Sequence, residues 1–176
     1  MNFWHDLKAG QKECLNVVIE VPKGSRIKYE LDKETGLIKV DRVLYSPMHY
    51  PANYGFTPRT LWHDGDPLDV LVIGHEQLVP GCLIEARPIG TLAMTDSGDD
   101  DVKILAVPVE DPRFRNVHDV RDIDPHTLEE ISHFFKVYKD LQKKKVDVVE
   151  WSGKEKALDQ IQESFDLYDK KYPIDQ

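Results

Sequence analysis

Through the first 110 residues the apolar positions fall in short runs, many alternating with polar ones, as strands do. The run Asn16–Pro22 is rich in β-branched residues and predicts a strand. Arg26–Leu31 alternates like a half-buried strand, Asp32–Gly36 is a turn ending in glycine, and Leu37–Tyr45 is a second strand, so the three predict a hairpin. Residues 46–60 hold three prolines and predict a long irregular connection, which in a compact domain is often functional. Val70–Ile73, Leu83–Ile89, Thr91–Met94 and Val102–Val109 complete the strands, the last one bounded by Pro108 and Pro112. Regular strand spacing predicts a small antiparallel barrel rather than alternating strand and helix.

The period then changes to that of a helix. Thr127-Leu-Glu-Glu130 reads as a capping box, with Pro125 just outside it. The following helix carries Ile131, Phe134, Phe135, Tyr138 and Leu141 as a core-facing stripe. Ser152-Gly-Lys-Glu155 reads as a second capping box, and its helix places Leu158, Ile161, Phe165 and Tyr168 on one face. Strands first and two helices last predict an α+β fold, rich in β, in a single domain over 1–176.

Charge changes this picture locally. The 176 residues include 23 Lys and Arg against 32 Asp and Glu, for a net charge of −9. Seven of the carboxylates responsible lie in two short loops, Asp64-Gly-Asp-Pro-Leu-Asp69 and Asp96-Ser-Gly-Asp-Asp-Asp101. An acidic chain without a basic stripe is a poor partner for nucleic acid or an anionic membrane. No apolar run approaches the roughly 18 residues of a membrane span. The first residues lack an apolar signal core, and the expected location is the cytoplasm. Cys14 and Cys82 suit a reducing compartment, although a long-range disulfide stays open.

Carboxylates at this density repel one another unless a cation joins them. Pro67 interrupts the strand period, so a turn at Gly65–Pro67 lets Asp64, Asp66 and Asp69 converge. An EF-hand is excluded: counted from Asp64, its sixth and twelfth positions hold Asp69 and His75 instead of Gly and Glu. The seven histidines never pair at zinc-ligand spacing, and there is no Cys-x-x-Cys. Ligation by oxygen alone favours Mg²⁺ or Mn²⁺. Lys103 follows Asp101 by two residues, which puts an ammonium and a carboxylate on one strand face; Lys28 and Glu30 share a face in the same way. Carboxylates interleaved with Lys, Arg and Tyr suit a polyphosphate handled through metals, because cations bridge carboxylate to phosphate oxygen while Lys and Arg take the remaining oxygens.

At these residues the chain resembles the family I soluble inorganic pyrophosphatases. The signature is Asp64-Gly-Asp-Pro-Leu-Asp-Val70. In the same order as in that family stand Pro22-Lys-Gly-Ser-Arg-Ile-Lys-Tyr-Glu30, Val40-Asp-Arg-Val43, Tyr50-Pro-Ala-Asn-Tyr-Gly55, Met94-Thr-Asp96, Asp101-Val-Lys103 and His133-Phe-Phe-Lys-Val-Tyr-Lys-Asp140. The likeness covers roughly 14–168 and is nearest to the short prokaryotic type, which implies a homohexamer. It implies a five-stranded closed barrel of OB type with flanking helices, and Mg²⁺-dependent hydrolysis of pyrophosphate to two orthophosphates by direct attack of water.

By resemblance, Asp64, Asp69 and Asp101 bind a tight metal pair, with Asp69 bridging. Asp96 and Asp101 hold a metal that arrives with substrate, Glu20 holds another, and Glu30 acts through water. Asp66 is the implied general base. Lys28, Arg42, Lys103, Tyr138 and Lys139 bind phosphate oxygens, and Tyr54 orients the site. Trp62-His63 departs from the family's small or polar residues before the signature, and Asp99-Asp100 adds charge. Two other readings stay open: a phosphatase for organic phosphates, and a non-catalytic OB-type module for single-stranded nucleic acid, which needs a basic groove with exposed aromatics.

Overall fold

The computed structural model describes residues 1–173. Its strands are β1 (Gly10–Gln11), β2 (Cys14–Val21), β3 (Ile27–Leu31), β4 (Ile38–Val43), β5 (Asn53–Phe56), β6 (Asp69–Val72), β7 (Leu83–Asp96), β8 (Asp99–Pro108) and β9 (Val146–Gly153). Its α-helices are α1 (Pro125–Val137) and α2 (Lys154–Lys171). The larger sheet runs β1-β2-β5-β6-β8-β7-β9, and β2 also pairs with β7. The pairings therefore return through β2, β5, β6, β8 and β7 to β2, a ring of five strands. The expected hairpin is present as a separate two-stranded sheet, β3–β4.

Successive residues of the ring strands alternate between two apolar clusters, as the period of two requires. Leu15, Val17 and Ile19 of β2, Val70 and Val72 of β6, and Ile104 and Ala106 of β8 pack with Ala157 and Ile161 of α2. Leu71, Leu105 and Val107 point the other way and pack with Ile131, Phe134 and Phe135 of α1. Cys14 and Cys82 are free thiols. Among the described residues no helix is long and apolar enough to cross a membrane.

Several boundaries differ from the sequence expectation. The β6–β8 pair is parallel, so the ring is not wholly antiparallel. Inside the supposed irregular stretch 46–60 lies β5, buried at every position. Leu83–Ile89 and Thr91–Met94 are one strand, with a register shift between Pro88 and Gly90. The acidic residues 99–101 open β8, after a turn in which Ser97 (φ +55°) and Gly98 (φ +96°) adopt the left-handed conformations of a tight hairpin. β9 pairs with β7 over Val146–Gly153, where only a helix start was expected.

The helix caps also move. Asp124, not Thr127, caps α1: its carboxylate accepts from His126 N–H at 2.9 Å, and Pro125 occupies the first helical position, where no N–H is needed. The helix ends at Val137, so Leu141 lies in a 3₁₀ turn and is 62% exposed instead of core-facing. Ser152 belongs to β9, and α2 starts after Gly153 without a cap from its own flank. Its first N–H, that of Lys154, instead donates to Asp119 at 3.0 Å. The hydrogen bond from Arg121 holds the Asp119 carboxyl down at about 2.

A carboxyl lowered on folding stabilises the fold above its unfolded pKa and loses that effect as pH falls toward the folded one. Asp119→Ala is therefore expected to cost about 1 kcal/mol at neutral pH. The urea midpoints of variant and parent should converge as pH drops from about 4 toward 2; a pH-independent gap would count against this capping role.

Candidate active site

One cavity of about 590 Å³ collects side chains from distant parts of the chain. Glu20 comes from β2, Lys28 and Glu30 from β3, and Tyr54 from β5. Asp64 and Asp66 come from the acidic loop, and Asp69 opens β6. Asp96 ends β7, Asp101 and Lys103 lie on β8, and Tyr138 and Lys139 follow the end of α1. Of the thirteen site residues expected from sequence, only Arg42 is absent from the walls. It lies opposite Lys28 on β4 and pairs with Asp41, while its Nε is buried without a hydrogen-bond partner.

The fold explains this meeting. Parallel pairing of β6 with β8 sets Asp69 opposite Lys103, and antiparallel pairing of β7 with β8 sets Met94 opposite Asp101. In the acidic loop, Trp62 N–H donates to the Asp66 carbonyl at 2.7 Å and Asp66 N–H donates to Asp64 Oδ1 at 2.9 Å. Gly65 has φ +86°, which permits the tight turn. Trp62 is buried with Ala157 and Ile161, and His63 reaches Glu163 at 2.8 Å, so this Trp-His pair ties the loop to α2. Asp99 and Asp100 are solvent-exposed at the hairpin.

The carboxylates are interleaved with ammoniums. Lys103, 5% exposed, contacts both Asp69 and Asp101, the latter at 2.7 Å. Burial lowers its pKa, but the two carboxylates outweigh that and keep it well above an ordinary lysine's. Lys139 pairs with Asp96, and Lys33 with Asp66. Lys28 lies 3.4 Å from Glu30 and 3.8 Å from Asp41.

Burial pushes Glu20 up to about 8, with the Asp69 charge adding to the effect, although Leu31 N–H donates to it at 2.6 Å. Burial also raises Asp64 and Asp101. Asp96 moves down, because the Lys139 hydrogen bond and charge outweigh burial. Burial raises the Tyr54 and Tyr138 phenols and keeps them protonated donors.

The walls hold nine carboxylates and five lysines, an excess of negative charge. Among the described residues no three His, Cys, Asp or Glu side chains already converge as a metal-ligand set. The carboxylates are neighbours, but Lys103, Lys139 and Lys33 stand between them. The donor set nevertheless fits hard divalent cations: it is all oxygen, and burial makes several carboxyls costly to ionise without added positive charge.

Five polar wall residues lie outside the set expected from sequence: Asp32, Lys33 and Glu34 of the β3–β4 turn, Lys39 of β4, and Tyr50. The charged triplet in the turn was visible, but a turn of this kind is ordinarily solvated. Tyr50 stands in the same family-like segment as Tyr54 but was given no role there.

Fold and site together define a β-ring protein with a cavity of interleaved carboxylates and ammoniums. The inorganic pyrophosphatase family model matches residues 17–169. The chain is 54% identical over 167 residues to the soluble inorganic pyrophosphatase of Oryza sativa subsp. japonica, covering 94% of this chain and 78% of the relative. It superposes on the crystal structure of inorganic pyrophosphatase from Thermus thermophilus with a TM-score of 0.92 at 41% identity, covering 96% of this chain and 99% of the other. For the enzyme of Helicobacter pylori the TM-score is 0.90 at 44% identity, with 93% and 98% covered. The chain belongs to the inorganic pyrophosphatase family.

Proposed function

We propose that this chain hydrolyses inorganic pyrophosphate to two orthophosphates by direct attack of water, with Mg²⁺ as the physiological cation and Mn²⁺ as a possible substitute. The observation that carries the reading is the single cavity in which acidic and basic side chains alternate, built from segments that the family model spans. Asp64, Asp69 and Asp101 are proposed to hold a tight metal pair. Asp96 with Asp101, Glu20 and, through water, Glu30 would hold the others. When bound, divalent cations supply positive charge to phosphate oxygens and acidity to the attacking water.

The chain's own groups do the rest. Asp66 takes one proton from the water as its oxygen bonds to phosphorus and the bridging P–O bond breaks. Lys28, Lys103 and Lys139 meet the charge on the departing phosphate, and Arg42, proposed from the resemblance to join them, would have to turn from its pairing with Asp41 to do so. Tyr138 donates a hydrogen bond to a phosphate oxygen, and Tyr54, 3.4 Å from Lys103 Nζ, orients that lysine. The chain is further proposed to be one domain, cytoplasmic, and a homohexamer, as the resemblance to the short prokaryotic type implies.

The test is orthophosphate release from pyrophosphate with Mg²⁺ and then with excess EDTA. Release should be rapid with Mg²⁺ and fall at least about a hundredfold with EDTA. Faster release from sugar phosphates or nucleotides than from pyrophosphate would instead favour an organic phosphatase.

A further inference from the structure

The turn between β3 and β4 reaches the acidic loop through Lys33, and it is tied by its own hydrogen bonds. Asp32 N–H donates to the Leu37 carbonyl at 2.8 Å, and Gly36 N–H donates to the Asp32 carbonyl at 2.7 Å. The Asp32 carboxylate accepts from Thr35 N–H and from Lys39 Nζ, each at 3.2 Å. Gly36 has φ +73°, and a Cβ there would meet the Met1 carbonyl oxygen at 3.2 Å, so the N-terminal segment backs the turn.

This frame delivers Lys33 to the rim of the cavity. Its ammonium pairs with Asp66 Oδ1, lies 3.4 Å from the Gly65 carbonyl and sits 5.4 Å from the centre of the Trp4 ring. Trp4 is 3% exposed, and its indole N–H donates to the Thr60 carbonyl at 2.7 Å, so the ring is a fixed platform. An ordinary exposed ion pair orders little, because both side chains remain mobile. Here the half-exposed lysine has two further contacts besides the carboxylate, an aromatic face and a carbonyl oxygen, and its backbone is set by the turn.

The loop's own hydrogen bonds fix the backbone of Asp66 and do not fix its carboxylate. Trp62 N–H holds its carbonyl, and its own N–H goes to Asp64. Asp66 is half-exposed, so packing does not set its rotamer either. The only side chain among the described residues that hydrogen-bonds to this carboxylate is Lys33.

Resting on Asp66 as the general base, we propose that Lys33 is its positioning residue: by engaging Oδ1 it sets the rotation of the carboxylate and leaves Oδ2 to take the water's proton. Lys33 acts through Asp66 and not by contact with pyrophosphate. A base turned away from its proton loses rate without losing substrate affinity.

Steady-state kinetics of Lys33→Ala, Lys33→Arg, Asp66→Asn and the double variant Lys33→Ala with Asp66→Asn test this. Lys33→Ala is expected to lower kcat about tenfold while KM and the unfolding midpoint stay within about twofold and unchanged, respectively. Lys33→Arg should recover most of the loss, because a guanidinium can make the same pair. On the Asp66→Asn background, Lys33→Ala should change kcat less than about twofold, the signature of two residues acting as a unit.

A raised KM at unchanged kcat would overturn the proposal in favour of direct substrate binding. So would an equal loss of kcat in both backgrounds when Asp66→Asn is itself nearly inactive, a result that leaves the base assignment standing. Near-normal turnover of Asp66→Asn would remove the base assignment, and the positioning role with it.

Discussion

Asp66→Asn is expected to lower kcat about a thousandfold while the protein folds and unfolds as before. General-base catalysis contributes about 10² to 10⁴ in rate. Asparagine keeps the shape of the side chain and can still accept a hydrogen bond from Lys33, but it cannot take a proton at neutral pH. The side chain is half-exposed at the cavity rim, so the exchange buries no unpaired charge. The backbone contacts that shape the loop, Asp66 N–H to Asp64 and Trp62 N–H to the Asp66 carbonyl, do not use the altered atoms. Single-turnover phosphate release and urea unfolding should therefore separate, with chemistry lost and stability kept. A variant turning over at near the parent rate would assign the base elsewhere.

The second large effect is on folding. Gly55 lies in β5 opposite Ile19 of β2, next to Tyr54 of the site. A Cβ at this position would stand 1.9 Å from the Val18 carbonyl oxygen, 2.8 Å from its carbonyl carbon and 2.9 Å from the Ile19 Cα. All three are backbone atoms and cannot rotate aside. Gly55→Ala must push β5 away from β2 and break one link of the five-strand ring. We expect a loss of at least about 3 kcal/mol, seen as a fall in the denaturant midpoint or as insoluble protein. Since β5 carries Tyr54 and pairs with Asp69 through Phe56, soluble variant protein should also show reduced turnover. A midpoint within about 1 kcal/mol of the parent would show that the strands can separate freely here.

These expectations show which parts of the molecule were legible in the chain. The β3–β4 hairpin was readable because its signals are local: two alternating runs and a glycine-ended turn. The acidic loop was readable for the same reason, since Pro67 and Gly65 force a bend and the carboxylates stand within six residues. Asp101 and Lys103 shared a face by simple period. β5 was not readable, because Asn-Tyr-Gly-Phe flanked by prolines carries no alternation; burial on both sides makes it a strand. β9 was hidden because Asp147 and Glu150 break its apolar pattern, and only pairing with distant β7 orders it.

The helix starts misled for a related reason. Thr127 and Ser152 each match a local capping pattern, yet Pro125 moves the first start upstream to Asp124, and a strand claims Ser152. The cap for α2 comes from Asp119, far away in sequence. The places of Lys33 and Tyr50 on the cavity wall were likewise not legible, because they depend on where the hairpin reaches and where the 46–60 segment folds back. The resemblance to the family carried the ordered set of site positions further than spacing alone could have done.

The side-by-side run of β6 and β8 has one more implication. Asp69 and Lys103 are held abreast by peptide hydrogen bonds between two neighbouring strands, not by any flexible tether. A slip of one step between those strands would turn the ammonium to the opposite side of the sheet. Apolar side chains can absorb such a misalignment in part; an ion pair in a catalytic pocket cannot. Turnover is thus the finer gauge of strand alignment, and repacked interiors of this protein should fail at the bench as catalysts well before they fail as folded chains.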